Sequence, residues 1–306
     1  MRSLIVATVV AVVAVATASC AAPVTALPAA VDGGPASGTL HTATLATPAG
    51  TRQYQVYQPR SHGPGRPLIV WLHGASKVRN GDPRELKRTS TLLTEADRLG
   101  YAVVAPRQSL DADATGTWRI IDPANLVRGS GETSIIAGIV RRAIRDLKAN
   151  PTKVYVVGHS AGGAMALNVA AQYPELFAGV ATSAGMPFAA DPTGEATRVA
   201  RGGRPVPAYV VHGSKDSLAP LFVGDAVVSA ALGANGIRGA LPSARVTYPA
   251  GPDSYRTIVT RYGSGQREVV SAVVIGADHP TGPGGVTVNG PGLDRQVISF
   301  LLSKHR

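Results

Sequence analysis

The sequence has little of several features that mark common classes of protein. Cys20 is the only cysteine among 306 residues, so no disulfide can form within the chain. Aromatic residues make up only 5% of the composition, and the basic residues behind the net charge of +11 are scattered rather than clustered. This pattern indicates a solvated basic surface and not a nucleic-acid site. No His, Cys and Asp cluster has metal-ligand spacing and no glycine-rich loop resembles a nucleotide site, so we expect no metal or cofactor.

The N-terminus carries an apolar run from Leu4 to Ala16, interrupted only by Thr8. It is too short to span a bilayer and follows Arg2, which is the layout of a secretory signal peptide. The cysteine that follows, Cys20, resembles the lipidated residue of a bacterial lipobox. The alternative is ordinary cleavage nearby, because Thr17 stands where the lipobox usually has leucine. We therefore predict an exported protein, either secreted or tethered to the membrane through a lipid on Cys20.

The domain organisation that we predict has three parts. Residues 1–19 are a signal peptide. Residues 20–38 are rich in Ala, Pro, Gly and Val without periodicity, which is typical of a flexible tether. Residues 39–306 suit one large domain, because α/β domains often exceed the usual domain size. We expect a monomer.

Apolar runs and helical stripes alternate along this domain. Partial polar and apolar alternation predicts an antiparallel hairpin at residues 39–46 and 52–57. Short apolar runs predict strands at residues 67–74, 101–106, 177–183, 206–211 and 268–275, and helices are predicted at residues 83–99, 132–149, 219–232 and 294–304. Such alternation indicates a mostly parallel central sheet with helices on both faces, the α/β fold class. Active residues of such sheets gather at the carboxyl ends of the strands.

One stretch combines an apolar strand, a glycine-rich turn and a helix-favouring segment. The β-branched and aromatic run that begins at Val154 leads into Gly158-His159-Ser160-Ala161-Gly162, and small and apolar residues follow. This order is typical of a nucleophile elbow, in which a serine hydroxyl is exposed on a strained turn. The two glycines leave that turn uncrowded. We predict that Ser160 is a nucleophile.

A serine nucleophile needs a base, and the base needs an orienting acid. His279 is the one histidine that is late in the chain and just past a predicted strand, so it is the candidate base. Asp216 follows another strand and lies between the other two in the order that this fold requires. Four other carboxylates are rivals by order alone: Asp191, Asp225, Asp253 and Asp278.

An oxyanion hole needs two backbone N–H groups aimed at one point. The N–H of Ala161, directly after the nucleophile at the positive end of a helix, is one candidate donor. The loop after an early central strand is the expected source of the other donor. His73-Gly74-Ala75 occupies that place in the sequence.

Several further stretches support these assignments by resemblance. They are Leu72-His73-Gly74, Thr117-Trp118, Asp122-Pro123-Ala124-Asn125, Arg128-Gly129-Ser130-Gly131-Glu132, Gly158 to Met165, Ser183-Ala184-Gly185-Met186-Pro187, Val211-His212-Gly213 with Asp216 and Pro220, and Gly276-Ala277-Asp278-His279 with Gly284-Gly285. Together they resemble the secreted polyhydroxybutyrate depolymerases and the related feruloyl and acetylxylan esterases of the α/β-hydrolase superfamily. The resemblance covers nearly all of residues 65–303.

This resemblance implies an α/β-hydrolase fold and an ester substrate. It implies the triad Ser160, Asp216 and His279, with Ala75 and Ala161 as the oxyanion donors. Trp118 is implied as a wall of the acyl pocket, and His159, beside the nucleophile, is a second candidate substrate-binding residue. The sequence departs from the family at Ala75 and Thr117, where relatives often have cysteines.

Other functions stay open on the sequence. The segment after His279 is short for a polymer-binding module, so short-chain or oligomeric esters are expected as much as insoluble polymer. A feruloyl or acetylxylan esterase and an acyltransferase acting on envelope sugars would use the same triad. A non-catalytic envelope-binding lipoprotein is the remaining alternative, although binding alone would not require serine, acid and base at three strand ends.

Overall fold

The alternating strands and helices of the sequence assemble around one central sheet. The structure, a computed structural model, describes residues 36–75, 84, 86–188, 191, 193–280, 287 and 289–306. The strands of these residues are β1 (Thr39–Thr47), β2 (Gly50–Gln58), β3 (Leu68–Leu72), β4 (Ala102–Pro106), β5 (Val154–His159), β6 (Gly179–Ser183), β7 (Ala208–Gly213), β8 (Pro242–Tyr248), β9 (Thr257–Tyr262) and β10 (Val269–Val274). The helices are α1 (Ser90–Leu99), α2 (Gly131–Asp146), α3 (Ala161–Gln172), α4 (Glu195–Ala200), α5 (Leu221–Ala234) and α6 (Gly290–Leu302).

The sheet is parallel in its centre and antiparallel at both edges. Its strand order is β1-β2-β4-β3-β5-β6-β7-β10-β9-β8. Strands β4, β3, β5, β6, β7 and β10 pair in parallel. The predicted N-terminal hairpin pairs antiparallel and joins the sheet through β2. The predicted fold class, a mostly parallel sheet with an antiparallel N-terminal hairpin, is therefore confirmed.

The buried core lies on both faces of this sheet. In β3, Leu68, Val70 and Leu72 pack on one face with the apolar sides of α2, α3 and α5. Ile69 and Trp71 pack on the other face with α1 and α6. Successive side chains of a strand point to opposite faces, so a strand that is covered on both sides is a continuous apolar run. This arrangement leaves the carboxyl ends of the parallel strands as the place for polar side chains.

The structure differs from the predicted elements at the start of α1 and at the strands β8 and β9, and the short helix α4 was not predicted either. The predicted start of the first helix, residue 83, was wrong. Helix α1 begins at Ser90, after a 3-10 turn at Leu86–Arg88. Thr89 ends that turn, because its N–H and its hydroxyl both donate to the carbonyl of Leu86, at 2.9 and 2.6 Å. The antiparallel strands β8 and β9 were not predicted, because β8 is largely exposed and lacks a buried apolar run.

The predicted signal peptide, Cys20 and most of the predicted tether lie outside the described residues. Within the part of the chain that the structure describes, no helix has the length and apolar character needed to cross a membrane.

Candidate active site

The turn between β5 and α3 holds the predicted nucleophile. Ser160 has φ 52° and ψ −121°, a region that residues other than glycine rarely adopt. Its N–H donates to the carbonyl of Ser183 at the end of β6, at 2.8 Å. Its own carbonyl accepts from the N–H of Ala164, at 3.1 Å, which starts the helix. The strained backbone is therefore held from both sides, and the serine stands at the carboxyl edge of the sheet.

The two glycines of the turn permit close contact between backbone segments. A Cβ on Gly158 would overlap with the carbonyl group of Gly162. A Cβ on Gly162 would overlap with the carbonyl oxygens of Leu72 and His73. The first turn of α3 therefore lies directly against the loop that follows β3.

The predicted acid lies in the turn between β7 and α5. The Asp216 side chain is buried, and its Oδ1 accepts the backbone N–H groups of Leu218 at 3.0 Å and Ala219 at 2.7 Å. Such bonds fix the rotamer of the carboxylate. The other oxygen, Oδ2, lies 2.8 Å from Nδ1 of His279.

The predicted base lies in the loop after β10. Nδ1 of His279 donates to Asp216, and its Nε2 lies 3.0 Å from the Oγ of Ser160. With its proton on Nδ1, the imidazole presents Nε2 as an acceptor for the serine hydroxyl. The structure thus brings together the three side chains that the sequence proposed as nucleophile, acid and base.

The neighbouring carboxylate, Asp278, points away from the imidazole. Its Oδ1 accepts from the N–H and the hydroxyl of Ser217, both at 2.7 Å, and from the N–H of His279 at 2.6 Å. It therefore ties the loop of the base to the loop of the acid. The hydrogen bond from Lys215 N–H to the carbonyl of Ala277, at 2.9 Å, adds a second tie.

Two other histidines border this group. His212 is buried, and its Nε2 donates to the carbonyl of Ala219 at 2.6 Å while staying 3.8 Å from Asp216. The ring centroids of His159 and His279 lie 5.5 Å apart. Burial, and secondly the neighbouring His279, lower the pKa of His159 to about 4. Its Nε2 is buried and has no hydrogen-bond partner among the described residues, so His159 is a neutral side chain beside the nucleophile.

The predicted oxyanion donors occupy the two segments that meet at this edge. Ala161 is the first residue of α3, so its N–H belongs to the unpaired N-terminal turn of a helix. Ala75 is exposed and follows β3 by three residues. The preceding Gly74 lies against His159, since a Cβ on it would be 2.8 Å from Nδ1 of that imidazole. Ala75 is therefore close in the chain to a residue that contacts the elbow.

The predicted pocket residue Trp118 is buried behind this loop. Only 2% of its surface is exposed, and its Nε1–H donates to the carbonyl of His73 at 3.0 Å. Its ring also lies beside the imidazole of His73, with 5.0 Å between the centroids. The structure therefore shows Trp118 as a support of the loop after β3, and its role as a pocket wall stays a prediction.

A buried polar network behind the site was not predicted. Gln108 donates its backbone N–H to Nε2 of His73 at 3.1 Å, and its side-chain amide donates to Glu132. Glu132 also accepts the N–H of Arg119 at 3.0 Å, and burial raises the pKa of its carboxyl group. The buried acid at the start of α2 belonged to a stretch shared with the esterases, but the sequence did not indicate its partners.

Among the described residues, no group of three or more His, Cys, Asp and Glu side chains is arranged to hold a metal ion. The hydrogen-bonded arrangement of Ser160, His279 and Asp216 is one in which an imidazole can activate a serine hydroxyl.

Comparisons with known proteins place this chain among esterases. The chain is 31% identical over 142 residues to "Poly(3-hydroxyalkanoate) depolymerase C" of Paucimonas lemoignei, covering 46% of this chain and 33% of that protein. It is 32% identical over 143 residues to "Feruloyl esterase B" of Neurospora crassa, covering 46% of each. The alignments thus span less than half the length of these curated relatives.

A solved structure, the acetyl xylan esterase from Aspergillus awamori, has the same fold. It superposes with a TM-score of 0.64 at 20% identity and covers 80% of this chain and 95% of its own. The family model described as "Esterase PHB depolymerase" matches residues 52–205, half of the chain. The chain therefore belongs to the esterase PHB depolymerase family.

Proposed function

We propose that this protein is an exported serine esterase that hydrolyses carboxylic esters through a covalent acyl-enzyme on Ser160. The observation that carries the proposal is the continuous hydrogen-bonded line from Asp216 through His279 to the Ser160 hydroxyl, with distances of 2.8 and 3.0 Å. These three side chains come from three different strand ends and make one nucleophile with its base. Membership of an esterase family supports the same chemistry.

The first half of the reaction is acylation. Nε2 of His279 accepts the proton of the Ser160 hydroxyl while Oγ attacks the ester carbonyl carbon. The buried carboxylate of Asp216 holds the imidazole in the Nδ1–H tautomer and stabilises the imidazolium that forms. The tetrahedral intermediate then collapses, and the imidazolium protonates the departing alcohol. The acyl group stays on Ser160.

The second half of the reaction is deacylation by water. Neutral His279 removes a proton from a water molecule, and the resulting oxygen attacks the acyl carbon. The second tetrahedral intermediate expels Oγ, which takes the proton back from the imidazolium. In both halves the N–H groups of Ala75 and Ala161 donate to the oxyanion, a contribution worth about 10²–10³-fold in rate per donor.

The substrate class that we propose is hydroxybutyrate oligomers and related short-chain esters. This choice is supported by the family description and by the Paucimonas relative, whose name describes a polyhydroxyalkanoate depolymerase. The second candidate is a carbohydrate ester of the feruloyl or acetylxylan kind, because the Neurospora relative is named a feruloyl esterase and the Aspergillus structure is an acetyl xylan esterase. Both substrates would be cleaved by the same three side chains.

A panel of esters tests both the reaction and the substrate. The purified protein is assayed with p-nitrophenyl acetate and butyrate, hydroxybutyrate dimer and trimer, methyl ferulate and acetylated xylan. We expect the highest kcat/KM with the hydroxybutyrate oligomers. A preference for methyl ferulate or acetylated xylan would assign the protein to the carbohydrate esterases instead, and hydrolysis of no ester would refute the proposed reaction.

The proposal includes a location. The apolar run before Cys20 supports export, and the cysteine that follows small residues supports lipid attachment at that residue. We propose that a lipid on Cys20 holds the esterase at the outer face of the membrane, as a monomer with residues 20–38 as its tether. The ester substrate is then met outside the cell.

A further inference from the structure

The imidazole of His73, directly after β3, forms hydrogen bonds that define its tautomer. Its Nε2 receives the backbone N–H of Gln108, at 3.1 Å. A backbone amide can only donate, so Nε2 is the acceptor and the proton of the neutral ring is on Nδ1. Nδ1 lies 2.7 Å from the carbonyl oxygen of Gly74, to which it therefore donates. Two hydrogen bonds on opposite sides of the ring thus select one tautomer.

We propose that His73 is a positioning residue that sets the direction of the Ala75 N–H group in the oxyanion hole. The carbonyl of Gly74 and the N–H of Ala75 belong to the same planar trans peptide unit and point in opposite directions. A bond from the His73 ring to that carbonyl therefore fixes the direction of the N–H. The inference rests on the proposed esterase function, because it assigns a task within that reaction.

The ring that performs this task is itself held in place. The Nε1–H of Trp118 donates to the His73 carbonyl at 3.0 Å, and the two rings lie side by side with centroids 5.0 Å apart. Both side chains are 2% exposed. A buried, packed imidazole loses little entropy when it forms its bonds, so it can hold the peptide unit without reorganisation during the reaction.

Nε2 of His73 is linked through Gln108 to the buried polar network. The Gln108 side-chain amide donates to the carbonyl of Thr117 at 3.1 Å and to the carboxylate of Glu132. Its Oε1 accepts from Nε of Arg52 at 3.1 Å. These bonds fix Gln108, whose backbone N–H in turn fixes the His73 ring. The polar network thus ends at the peptide unit that carries the proposed oxyanion donor.

The loop that contains this peptide unit packs against the elbow. Gly162, in the first turn of α3, contacts the carbonyl oxygens of Leu72 and His73 so closely that a Cβ there would overlap with them. Gly74 contacts the imidazole of His159, the residue before Ser160. A rotation of the Gly74–Ala75 peptide therefore changes the surroundings of the elbow, which is what a positioning role requires.

Two substitutions of nearly equal size separate the two bonds of the ring. In His73→Asn the side-chain NH₂ can occupy the place of Nδ1 and donate to Gly74. In His73→Gln the amide oxygen can occupy the place of Nε2 and accept from Gln108, but no donor faces Gly74. With p-nitrophenyl butyrate we expect His73→Asn to keep kcat within about threefold of the wild type. We expect His73→Gln to lower kcat by about 10²-fold, approaching the loss of one oxyanion donor, with little change in KM.

Two further measurements distinguish positioning from a general loss of structure. End-point titration with a fluorophosphonate should label one serine per chain in both variants. The inhibition constant of a trifluoromethyl ketone, whose adduct places an oxyanion in the hole, should rise in His73→Gln by the factor by which kcat/KM falls. Equal losses in the two variants, or wild-type kcat in His73→Gln, would overturn the proposal.

The tautomer provides a test that does not need activity. In ¹⁵N-labelled wild-type protein, we expect the His73 imidazole to carry its proton on Nδ1. An Nε2–H tautomer in an active enzyme would overturn the positioning role and leave the esterase function intact. This measurement decides the matter if His73→Gln fails to fold. A wild-type protein that hydrolyses no ester would overturn the proposed function and the inference together.

Discussion

The Nε2 atom of His279 lies 3.0 Å from the Oγ of Ser160, although 119 positions separate the two residues in the chain. Ser160 follows β5 and His279 follows β10, and two strands, β6 and β7, stand between these in the sheet. Asp278, directly before the histidine, bonds to Ser217 and so ties the loop after β10 to the loop after β7. The contact therefore depends on how the loops are tied together as well as on the sheet.

The first prediction concerns the acid. In Asp216→Asn the amide oxygen can keep the N–H groups of Leu218 and Ala219, but the amide NH₂ then faces Nδ1 of His279. The NH₂ group then stands at the shorter of the two contacts with Nδ1 and favours the tautomer with the proton on Nε2, which cannot accept the serine proton. We expect kcat to fall by about 10⁴-fold with little loss of stability. Steady-state kinetics and a thermal melt check both parts.

The matched control is Asp278→Asn, which changes the adjacent carboxylate. Asp278 is exposed and bonds to Ser217 rather than to the imidazole ring. We expect its kcat to stay within about tenfold of the wild type, because the amide oxygen of asparagine can still accept the Ser217 and His279 N–H groups and Asp216 is unchanged. A loss in Asp278→Asn as large as that in Asp216→Asn would mean that the acid has been assigned to the wrong carboxylate.

The second prediction concerns the contact between α3 and the loop after β3. In Gly162→Ala the new methyl group would overlap with the carbonyl oxygens of Leu72 and His73, which are backbone atoms and can move only with the loop. We expect a loss of stability of about 1–3 kcal/mol, as for other overpacked sites. We also expect a fall in kcat of at least about 10-fold, because the loop carries a proposed oxyanion donor.

Urea unfolding and kinetics of Gly162→Ala are compared with those of Gly63→Ala. A Cβ on Gly63 meets no atom within 4 Å, so this control makes the same chemical change in open space. Its stability and kcat should match those of the wild type. Wild-type behaviour of Gly162→Ala would contradict the close contact.

The third prediction concerns pH. The pKa of His159 is lowered from 6.5 to about 4, chiefly by burial. Between these pH values the His159 ring is therefore protonated in the unfolded chain and neutral in the folded protein. The stabilising contribution of the neutral ring is complete above about pH 6.5 and is lost as the pH falls towards 4. The associated slope is at most about 1.4 kcal/mol per pH unit.

The measurement is the free energy of unfolding by urea at several pH values from 7.5 to 4.5. The wild type should lose stability faster than His159→Leu as the pH falls, since the variant lacks the titrating group. His41→Leu, which removes an exposed histidine on β1, should keep the wild-type slope. Parallel curves for the wild type and His159→Leu would show that His159 is not buried as a neutral ring.

The fourth prediction concerns the location of the protein. In a bacterium that processes lipoproteins, we expect the wild type in the membrane fraction and Cys20→Ala in the soluble exported fraction. Fractionation followed by immunoblotting distinguishes the cases. An exported but soluble wild type would refute the lipid anchor, and retention of both proteins in the cytoplasm would refute export.

Much of the fold followed from local sequence patterns. The central strands are continuous apolar runs because both faces of the sheet are covered, and α2 has a clear apolar stripe. Strand β8 was not predicted because it lies at the edge of the sheet and its side chains are mostly exposed, so it has no buried apolar run. An edge strand is defined by its pairing with β9, and pairing between distant segments leaves a weak local signal.

Part of the candidate site could likewise be predicted from the sequence, and part of it could not. The proximity of Ser160, Asp216 and His279 could be expected, because strand ends of a parallel sheet meet at one edge and the fold restricts their order. The hydrogen bonds that join His73, Gln108 and Glu132 could not be expected from the sequence. Gln108 lies in a loop without periodicity, and its partners are 24 and 35 positions away. The place of Trp118 at the acyl pocket stays a prediction, and its hydrogen bond to the His73 carbonyl had no signal in the sequence.

The central claim is that an acyl group is transferred to Ser160. It is tested most directly by mass spectrometry of peptides from the protein quenched during hydrolysis of p-nitrophenyl butyrate. We expect a butyryl group on the peptide that contains Ser160, no such group in Ser160→Ala, and a kcat lowered by about 10⁴-fold or more in that variant. Wild-type turnover by Ser160→Ala, or a butyryl group on another residue, would contradict the account.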